Sequence, residues 1–276
     1  MQLTDQQVQY FRTFGYLMLP GVFSPREMNW ITEEFETAIR TYGRGAEHDG
    51  SSRTMLGAPI ERSEKLCALL DDSRIVGLFS RILGPDFNYC GGDGNYFTGD
   101  TDWHADGNWG RLFGVKLAFY LDSLTRATGC LRVLPGSQDP DHFLRKHSIN
   151  LSQSRELFGI APRDIPGDVA LETTPGDVVL FNHDTYHASW GGGMRRRMFT
   201  INCIQRCRTE SELALARRYL SVHVHRVVQR CGYDATLGAG MFSPLMLETA
   251  DEQRLRHLAQ PIQIHDELFP QFARRS

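Results

Sequence analysis

No stretch of the 276-residue chain reaches the roughly 18 consecutive apolar residues that a membrane-spanning helix requires. The opening MQLTDQQVQYFRTFGYLMLP has no basic segment followed by an apolar one, so no secretory leader is read there and a cytoplasmic protein is expected. Six cysteines, at 67, 90, 130, 203, 207 and 231, include no CxxC pair and no regular spacing. That argues against a redox dithiol, a zinc ribbon or a disulfide framework, and leaves reduced, mostly buried thiols. Basic runs are also lacking apart from Arg195, Arg196 and Arg197, and 30 basic against 33 acidic residues give a formal charge of −3. Neither nucleic acid nor an anionic membrane is therefore expected as the main partner. No internal repeat or low-complexity tract is present, which excludes a solenoid.

What is present is 41% hydrophobic residues in a chain long enough to bury one sizeable core. Thr4-Asp5-Gln6-Gln7 fits a capping box and predicts a short helix to Phe14, ahead of an apolar strand in GYLMLP. Ser24 and Glu27 form a second box, with Pro25 at the first helical position; apolar residues at 28, 31, 35, 38, 39 and 42 continue one helical face to Tyr42. A further helical pattern spans about 62 to 83 and stops at Gly84-Pro85. From 87 to 207 the texture changes to short alternating runs, such as FGVKLAFYLD, GCLRVLPGS and RMFTINCIQ, punctuated by Gly, Asp, Pro and Thr. Such runs predict an antiparallel sandwich or barrel. Thr209-Glu210-Ser211-Glu212 then starts another helix to about Val228, whose apolar stripe suits packing on its own chain or on a second subunit in a homodimer; from Gly232 the pattern assigns nothing. One domain over 1–276 is expected, with helical support in 1–86, the β core in 87–207 and a helical extension in 208–276.

Chemistry concentrates in two places. In FTGDTDWHADGNWG, His104 and Asp106 stand two apart, so on a strand they face one side and can present an imidazole and a carboxylate to one point. Two His and one carboxylate on one face is the ligand set of non-haem Fe(II) oxygenases. An HxD pair alone is weak evidence: His265-Asp266-Glu267 is as good a pair in isolation, yet no second His or anion-binding Arg follows it, and it reads as a solvated surface segment. The second place is PGDVVLFNHDTYHASWGGGMRRRMFTIN, where His187 can supply a third ligand and an arginine opening the next strand can grip a carboxylate with both arms.

Together, GYLMLPGVFSPRE, WHAD, GCLRVLPGS, GDVVLFNHDTYHAS and Arg197 resemble, in order and approximate spacing, the phytanoyl-CoA dioxygenase family of Fe(II)/2-oxoglutarate-dependent oxygenases, over about residues 5 to 207. The resemblance implies a double-stranded β-helix, a jelly-roll (cupin-like) barrel buttressed by helices. It implies that His104, Asp106 and His187 bind Fe(II), that Arg197 pairs with the distal carboxylate of 2-oxoglutarate, and that Ser189 supports the same group. His183 is the rival third ligand, but positions nine and ten beyond it are Gly192 and Gly193, whereas both are arginines after His187. Arg196 is the rival for Arg197, and strand alternation sends the two to opposite faces. Gln138 stands where the family often has a His after the PGS turn; that turn is read as scaffold.

The implied reaction uses O₂ and 2-oxoglutarate, releases succinate and CO₂, and hydroxylates an unactivated C–H. Asp106 disfavours halogenation, since related halogenases carry a small residue there; desaturation, epimerisation and cyclisation stay open. Lys116, in the middle of an apolar strand, needs an anion, whether of 2-oxoglutarate, of the substrate or of a structural salt bridge. Asn95 is a candidate donor to 2-oxoglutarate. Trp103, Trp109 and Trp190 are candidate pocket walls, and Asp93 and Arg111 candidate contacts to a small polar or anionic substrate. Two other classes compete: a cupin-like metalloenzyme without 2-oxoglutarate, and a non-catalytic jelly-roll binding protein.

Overall fold

The computed structural model of the chain describes residues 2–43, 48–107, 112–231 and 240–270, with side chains of 222–231 left out. Helix α1 (Asp5–Phe14) starts in the capping box of Thr4 and Gln7 and ends at Gly15, whose φ of 80° is left-handed and turns the chain into β1 (Tyr16–Leu19). Ser24, Pro25 and Glu27 open α2 (Pro25–Tyr42) as their chemistry dictates. After β2 (Thr54–Gly57) the helical pattern read over about 62 to 83 is divided into tight 3-10 turns, a short α3 (Glu64–Cys67) and α4 (Ser73–Leu83). Asp72 restarts the helix by accepting the Arg74 backbone N–H.

The remaining strands are β3 (Asn88–Tyr89), β4 (Asp93–Phe97), β5 (Thr101–His104), β6 (Gly114–Tyr120) and β7 (Leu131–Val133), then, after the short helices α5 (Phe143–Lys146) and α6 (Ser154–Phe158), β8 (Val169–Leu171), β9 (Val178–Asn182), β10 (His187–Ser189) and β11 (Arg196–Ile204). They form two antiparallel sheets. One has the order β1-β9-β6-β11-β4-β2 with β3 on β11, the other β5-β10-β7-β8. Two strands of the larger sheet, β1 and β2, thus come from the N-terminal segment. The result is an open jelly-roll sandwich; no closed barrel forms among the described residues.

Strand alternation decides what each face does. On β6, Val115, Leu117 and Phe119 join Ile31, Phe35, Leu78 and Phe79 of α2 and α4 in the main core. Ala118 and Tyr120 point the other way, against Leu131, Val133 and Phe181 between the sheets. The helices therefore seal one face of the larger sheet, and the small sheet covers the other only in part. The gap between the sheets is where the polar residues of the strands are left.

Beyond the sandwich, α7 (Glu210–Cys231) starts as expected, with Thr209 Oγ1 accepting from the Glu212 backbone and the Glu212 carboxylate accepting in return from the Thr209 backbone. Its Ala216, Tyr219 and Leu220 pack on Cys90, Leu112, Ile204 and Ile264 of the same chain. The unassigned tail contains α8 (Pro244–Glu248) and α9 (Glu252–Leu268). There the reading of His265-Asp266-Glu267 is corrected in part: the segment is helical and His265 is buried, because it lies on the inward face of α9, while Glu267 is exposed. Cys67, Cys90, Cys130, Cys203 and Cys207 are free and buried.

Candidate active site

His104 ends β5 and His187 begins β10, and the two residues are directly paired across the antiparallel ladder. Their rings lie 4.2 Å apart between centroids. Asp106, two residues past His104, brings its Oδ2 to 3.5 Å from His187 Nε2 and its Oδ1 to 3.9 Å from His104 Nε2. One ligand atom from each of the three residues falls within 4.8 Å of the others; no other such cluster of three occurs among the described residues. The imidazoles are oriented for metal binding. His104 Nδ1 faces the Asp102 carbonyl at 2.8 Å and His187 Nδ1 the Thr185 carbonyl at 2.9 Å. A carbonyl can only accept, so each Nδ1 carries the proton and each Nε2 offers its lone pair to the common point. The donor set, two imidazoles and one carboxylate on one face, fits Fe(II).

Electrostatics reinforce this. Burial pushes the Asp106 carboxyl up, but the Lys116 ammonium and the two imidazoles outweigh it and hold it well below the usual carboxylate range. Burial, helped by His104, pushes His187 down to about 3, so its ring is neutral and available as a ligand. Lys116 Nζ lies 2.6 Å from Asp106 Oδ2. Burial lowers its pKa, but Asp106 and Asp93 more than compensate and keep it charged. Of the uses open to Lys116, the structure shows an ion pair within the chain, with Asp106.

These residues line a cavity of about 610 Å³ between the sheets. The larger sheet supplies Arg196, and here the expectation for Arg197 is corrected. Arg197 lies on the helix-covered face with Phe199 and Ile201: its Nε donates to Asp122 Oδ1 at 2.9 Å and its Nη1 to Glu36 at 2.7 Å. Arg196 shares the cavity face with Met198 and Thr200, which strand parity requires. Its Nη1 donates to the Gly129 carbonyl at 2.5 Å and to Ser189 Oγ; it is 4% exposed, and its Nε has no hydrogen-bond partner among the described residues. Among the described residues no carboxylate forms an ion pair with Arg196, and burial pushes its pKa down. A desolvated guanidinium in that position calls for an anion from outside the chain. Ser189 stands beside it, donating to Gly129 O at 2.9 Å.

Other expectations fare differently. Asn95 is fully buried and absent from the cavity lining: its Nδ2 donates to Asp93 and its Oδ1 accepts from Arg53 Nε, both at 2.5 Å. It supports those two residues instead of reaching for a cosubstrate. Asp93 does line the cavity, with Oδ1 accepting from Thr200 Oγ1 at 2.8 Å. Trp103 and Trp190 are packing residues, edge to face with centroids 5.2 Å apart, in a cluster with Leu134 and Leu151 away from the cavity. Trp103 Nε1 is satisfied by the Pro162 carbonyl at 2.7 Å. His183 is excluded from the triad: its ring lies nearly parallel to Tyr219 instead. Gln138 ties the PGS turn to α1 through the carbonyls of Arg12 and Thr13. Trp109 and Arg111 lie outside the described residues. Sequence reasoning missed Arg53 and Arg218, both in the cavity wall. Neither lies in a recognisable motif, and only the fold brings them to the site.

A jelly roll holding two imidazoles and a carboxylate beside a buried arginine defines a mononuclear metal-dependent oxygenase site. Comparison with known proteins agrees. The family model described as phytanoyl-CoA dioxygenase matches residues 11–198, and the chain belongs to that family. It is an Fe(II)- and 2-oxoglutarate-dependent dioxygenase. Among curated proteins it is 25% identical over 215 residues to L-proline trans-4-hydroxylase of Streptomyces griseoviridis, covering 68% of this chain and 80% of that protein. Solved structures with the same fold include HygX from Streptomyces hygroscopicus with nickel and 2-oxoglutarate bound, with a TM-score of 0.61, 18% identity, and 76% and 90% of the two chains covered. Another is the carbocyclase SnoK from nogalamycin biosynthesis, with a TM-score of 0.59, 20% identity, and 74% and 84% covered. No described helix is long and apolar enough to cross a membrane.

Proposed function

We propose that the chain hydroxylates an unactivated C–H of a small polar or anionic molecule. His104, Asp106 and His187 would hold Fe(II), and Arg196 with Ser189 would take the distal carboxylate of 2-oxoglutarate. When bound, the iron and its cosubstrate supply the oxidising power through O₂, with succinate and CO₂ as the by-products. The residues of the chain do the rest. Arg196 orients 2-oxoglutarate through a charge-assisted fork, and Ser189 Oγ, which accepts from Arg196, fixes the guanidinium. Tyr120, Leu131, Phe181 and Met198 line the inner wall and exclude water from the reacting atoms. Lys116 restrains Asp106 Oδ2 and so fixes the carboxylate plane.

The observation that carries this reading is the joint presence, in one cavity, of the three ligands and of a buried arginine that pairs with no carboxylate among the described residues. A vestigial site would have no reason to keep both. Hydroxylation is favoured over halogenation because Asp106 occupies the carboxylate position, and it is the reaction named for the proline hydroxylase relative. The test is turnover with Fe(II), 2-oxoglutarate and ¹⁸O₂ over a panel of small polar acids. The reading expects succinate release that requires 2-oxoglutarate and a product carrying one labelled oxygen atom. Product formation without 2-oxoglutarate would transfer the chain to the cupin-like class.

A further inference from the structure

Two of the three candidate iron ligands hang on one turn, residues 182–186. The Thr185 carbonyl accepts from His187 Nδ1 at 2.9 Å and so sets the plane of that ring. The His183 carbonyl accepts at 2.7 Å from the backbone N–H of Gly107, the residue after Asp106. A Cβ at Gly107 would fall 1.9 Å from Asp184 Oδ1, so it is the glycine that lets the two segments touch. A shift of the turn therefore changes the separation of Asp106 Oδ2 from His187 Nε2, which is 3.5 Å.

Three pieces of the chain hold the turn. The Gly15 carbonyl, at the end of α1, accepts from the Asn182 N–H at 2.8 Å and from Thr185 Oγ1 at 3.0 Å. Ser137 Oγ, in the PGS turn, accepts from the Tyr186 N–H at 2.8 Å. The third is Arg145 of α5. Its Nε donates to the Ser137 carbonyl and its Nη2 to the Asp184 carbonyl, its guanidinium lies 5.1 Å from the centre of the Tyr186 ring, and its side chain is 16% exposed. A planar fork with acceptors on two different turns fixes the distance between them, which a flexible ammonium does not. The connection that carries Arg145, between β7 and β8, also braces the sheet that holds the ligands. Its Leu144, Leu151 and Ile165 pack with Trp103, Ala188 and Trp190, the sequence neighbours of His104, His187 and Ser189.

We propose that Arg145 is a positioning residue of the metal centre, which clamps the 182–186 turn against the Ser137 turn and so sets how Asp106 and His187 converge. This rests on the oxygenase reading above and gives the connection between β7 and β8 a part in it, acting through the turn and not at the metal.

The test measures Fe(II) affinity without oxygen, by competition with a coloured chelator, and the visible spectrum of Co(II) bound in place of iron, which reports the arrangement of the ligands. The proteins are full-length wild type, Arg145→Met, Arg145→Lys and, as a control, Arg126→Met, which removes a 2.6 Å contact to Asp168 beside β8 of the same sheet. Arg145→Met should bind Fe(II) about tenfold more weakly or worse and shift the Co(II) spectrum, Arg145→Lys should regain part of the affinity, and Arg126→Met should stay within about twofold of wild type. Arg145→Met binding as tightly as wild type would overturn the proposal. So would Arg126→Met losing as much as Arg145→Met, because a general loosening of the sheet would then suffice. Should Arg145→Met fail to fold, Thr185→Val replaces it, removing the bond to Gly15 while keeping the carbonyl that His187 uses. A loss of about fivefold or more there supports the turn as the positioning element, and a smaller loss overturns it. Wild-type protein that binds Fe(II) beside an unaffected Arg145→Met removes this inference alone; wild-type protein that retains no Fe(II) removes the oxygenase reading with it.

Discussion

Exchanging the two adjacent arginines of β11 for methionine should separate the cosubstrate site from the scaffold. Methionine roughly conserves the length of the side chain, so Arg196→Met removes the fork without opening a large void. Arg196 is 4% exposed and forms no ion pair with a carboxylate among the described residues, so its charge is available to 2-oxoglutarate in a desolvated setting. Truncating one partner of a buried, hydrogen-bonded charge pair costs about 2–5 kcal/mol. At about 1.4 kcal/mol per decade, affinity for 2-oxoglutarate should fall by about thirtyfold to several thousandfold. Arg196→Lys, which keeps the charge and loses the fork, should fall between. Arg197→Met instead removes the fork on Asp122 and the 2.7 Å contact to Glu36, on the helix-covered face. It should cost about 1–3 kcal/mol of stability while leaving 2-oxoglutarate affinity within about twofold. Anaerobic calorimetric titration of the metal-loaded variants measures the first quantity and chemical denaturation the second. Arg197→Met losing 2-oxoglutarate while Arg196→Met binds as wild type would refute the assignment.

Lys116→Met should lower iron affinity by about ten- to a hundredfold, since partners that orient a ligand carry that much; competition with a coloured chelator measures it, and unchanged affinity would show that Asp106 needs no restraint. Glu61 is buried, accepts the Ser243 backbone N–H at 2.7 Å, and is pushed up to about 7 by burial. The native state therefore binds this proton more tightly than the unfolded chain, and the stability it contributes is full below about pH 4.5 and lost as pH rises through about 7. Glu61→Gln should flatten the pH dependence of unfolding in that window by up to about 3 kcal/mol; a profile identical to wild type would contradict the shift. His104→Ala should leave a folded protein that no longer retains Fe(II) through gel filtration, because His104 is partly exposed and contributes little to the core.

The parts of the fold that were legible in the sequence are those with local chemistry. Capping boxes at Thr4, Ser24 and Thr209 and the alternation of FGVKLAFYLD describe interactions within a few residues, and they appear as read. The tail was illegible for a physical reason. The inward face of α9 mixes Leu258, Pro261 and Ile264 with Arg254, His257, Gln260 and His265, and the polar members break the apolar periodicity that a sequence search follows. Arg254 is paired with Asp71, His257 stacks on Phe87 at 3.8 Å, and Gln260 bridges Asn88 and Cys207. Only tertiary partners make that face buriable. The site divides in the same way. His104, Asp106 and His187 fall together because the HxD spacing keeps the first two adjacent, even though Asp106 lies just past the end of β5, and the family motif pointed to the third. The choice between Arg196 and Arg197 also had a signal: Phe199, Ile201 and Cys203 form the more apolar parity, which belongs under the helices, and Arg197 shares it. Asn95 is buried behind Arg53 and Asp93, and Trp103 and Trp190 pack in a separate cluster, so none of the three lines the cavity although all lie near the ligands in sequence.

The central claim, one cavity holding iron and 2-oxoglutarate on His104, Asp106, His187 and Arg196, is tested most directly by adding Fe(II) and then 2-oxoglutarate to the apoprotein without oxygen. The account predicts a weak visible charge-transfer band in the wild type, absent in His187→Ala. Folded wild-type protein that binds iron but develops no band at saturating 2-oxoglutarate would contradict it.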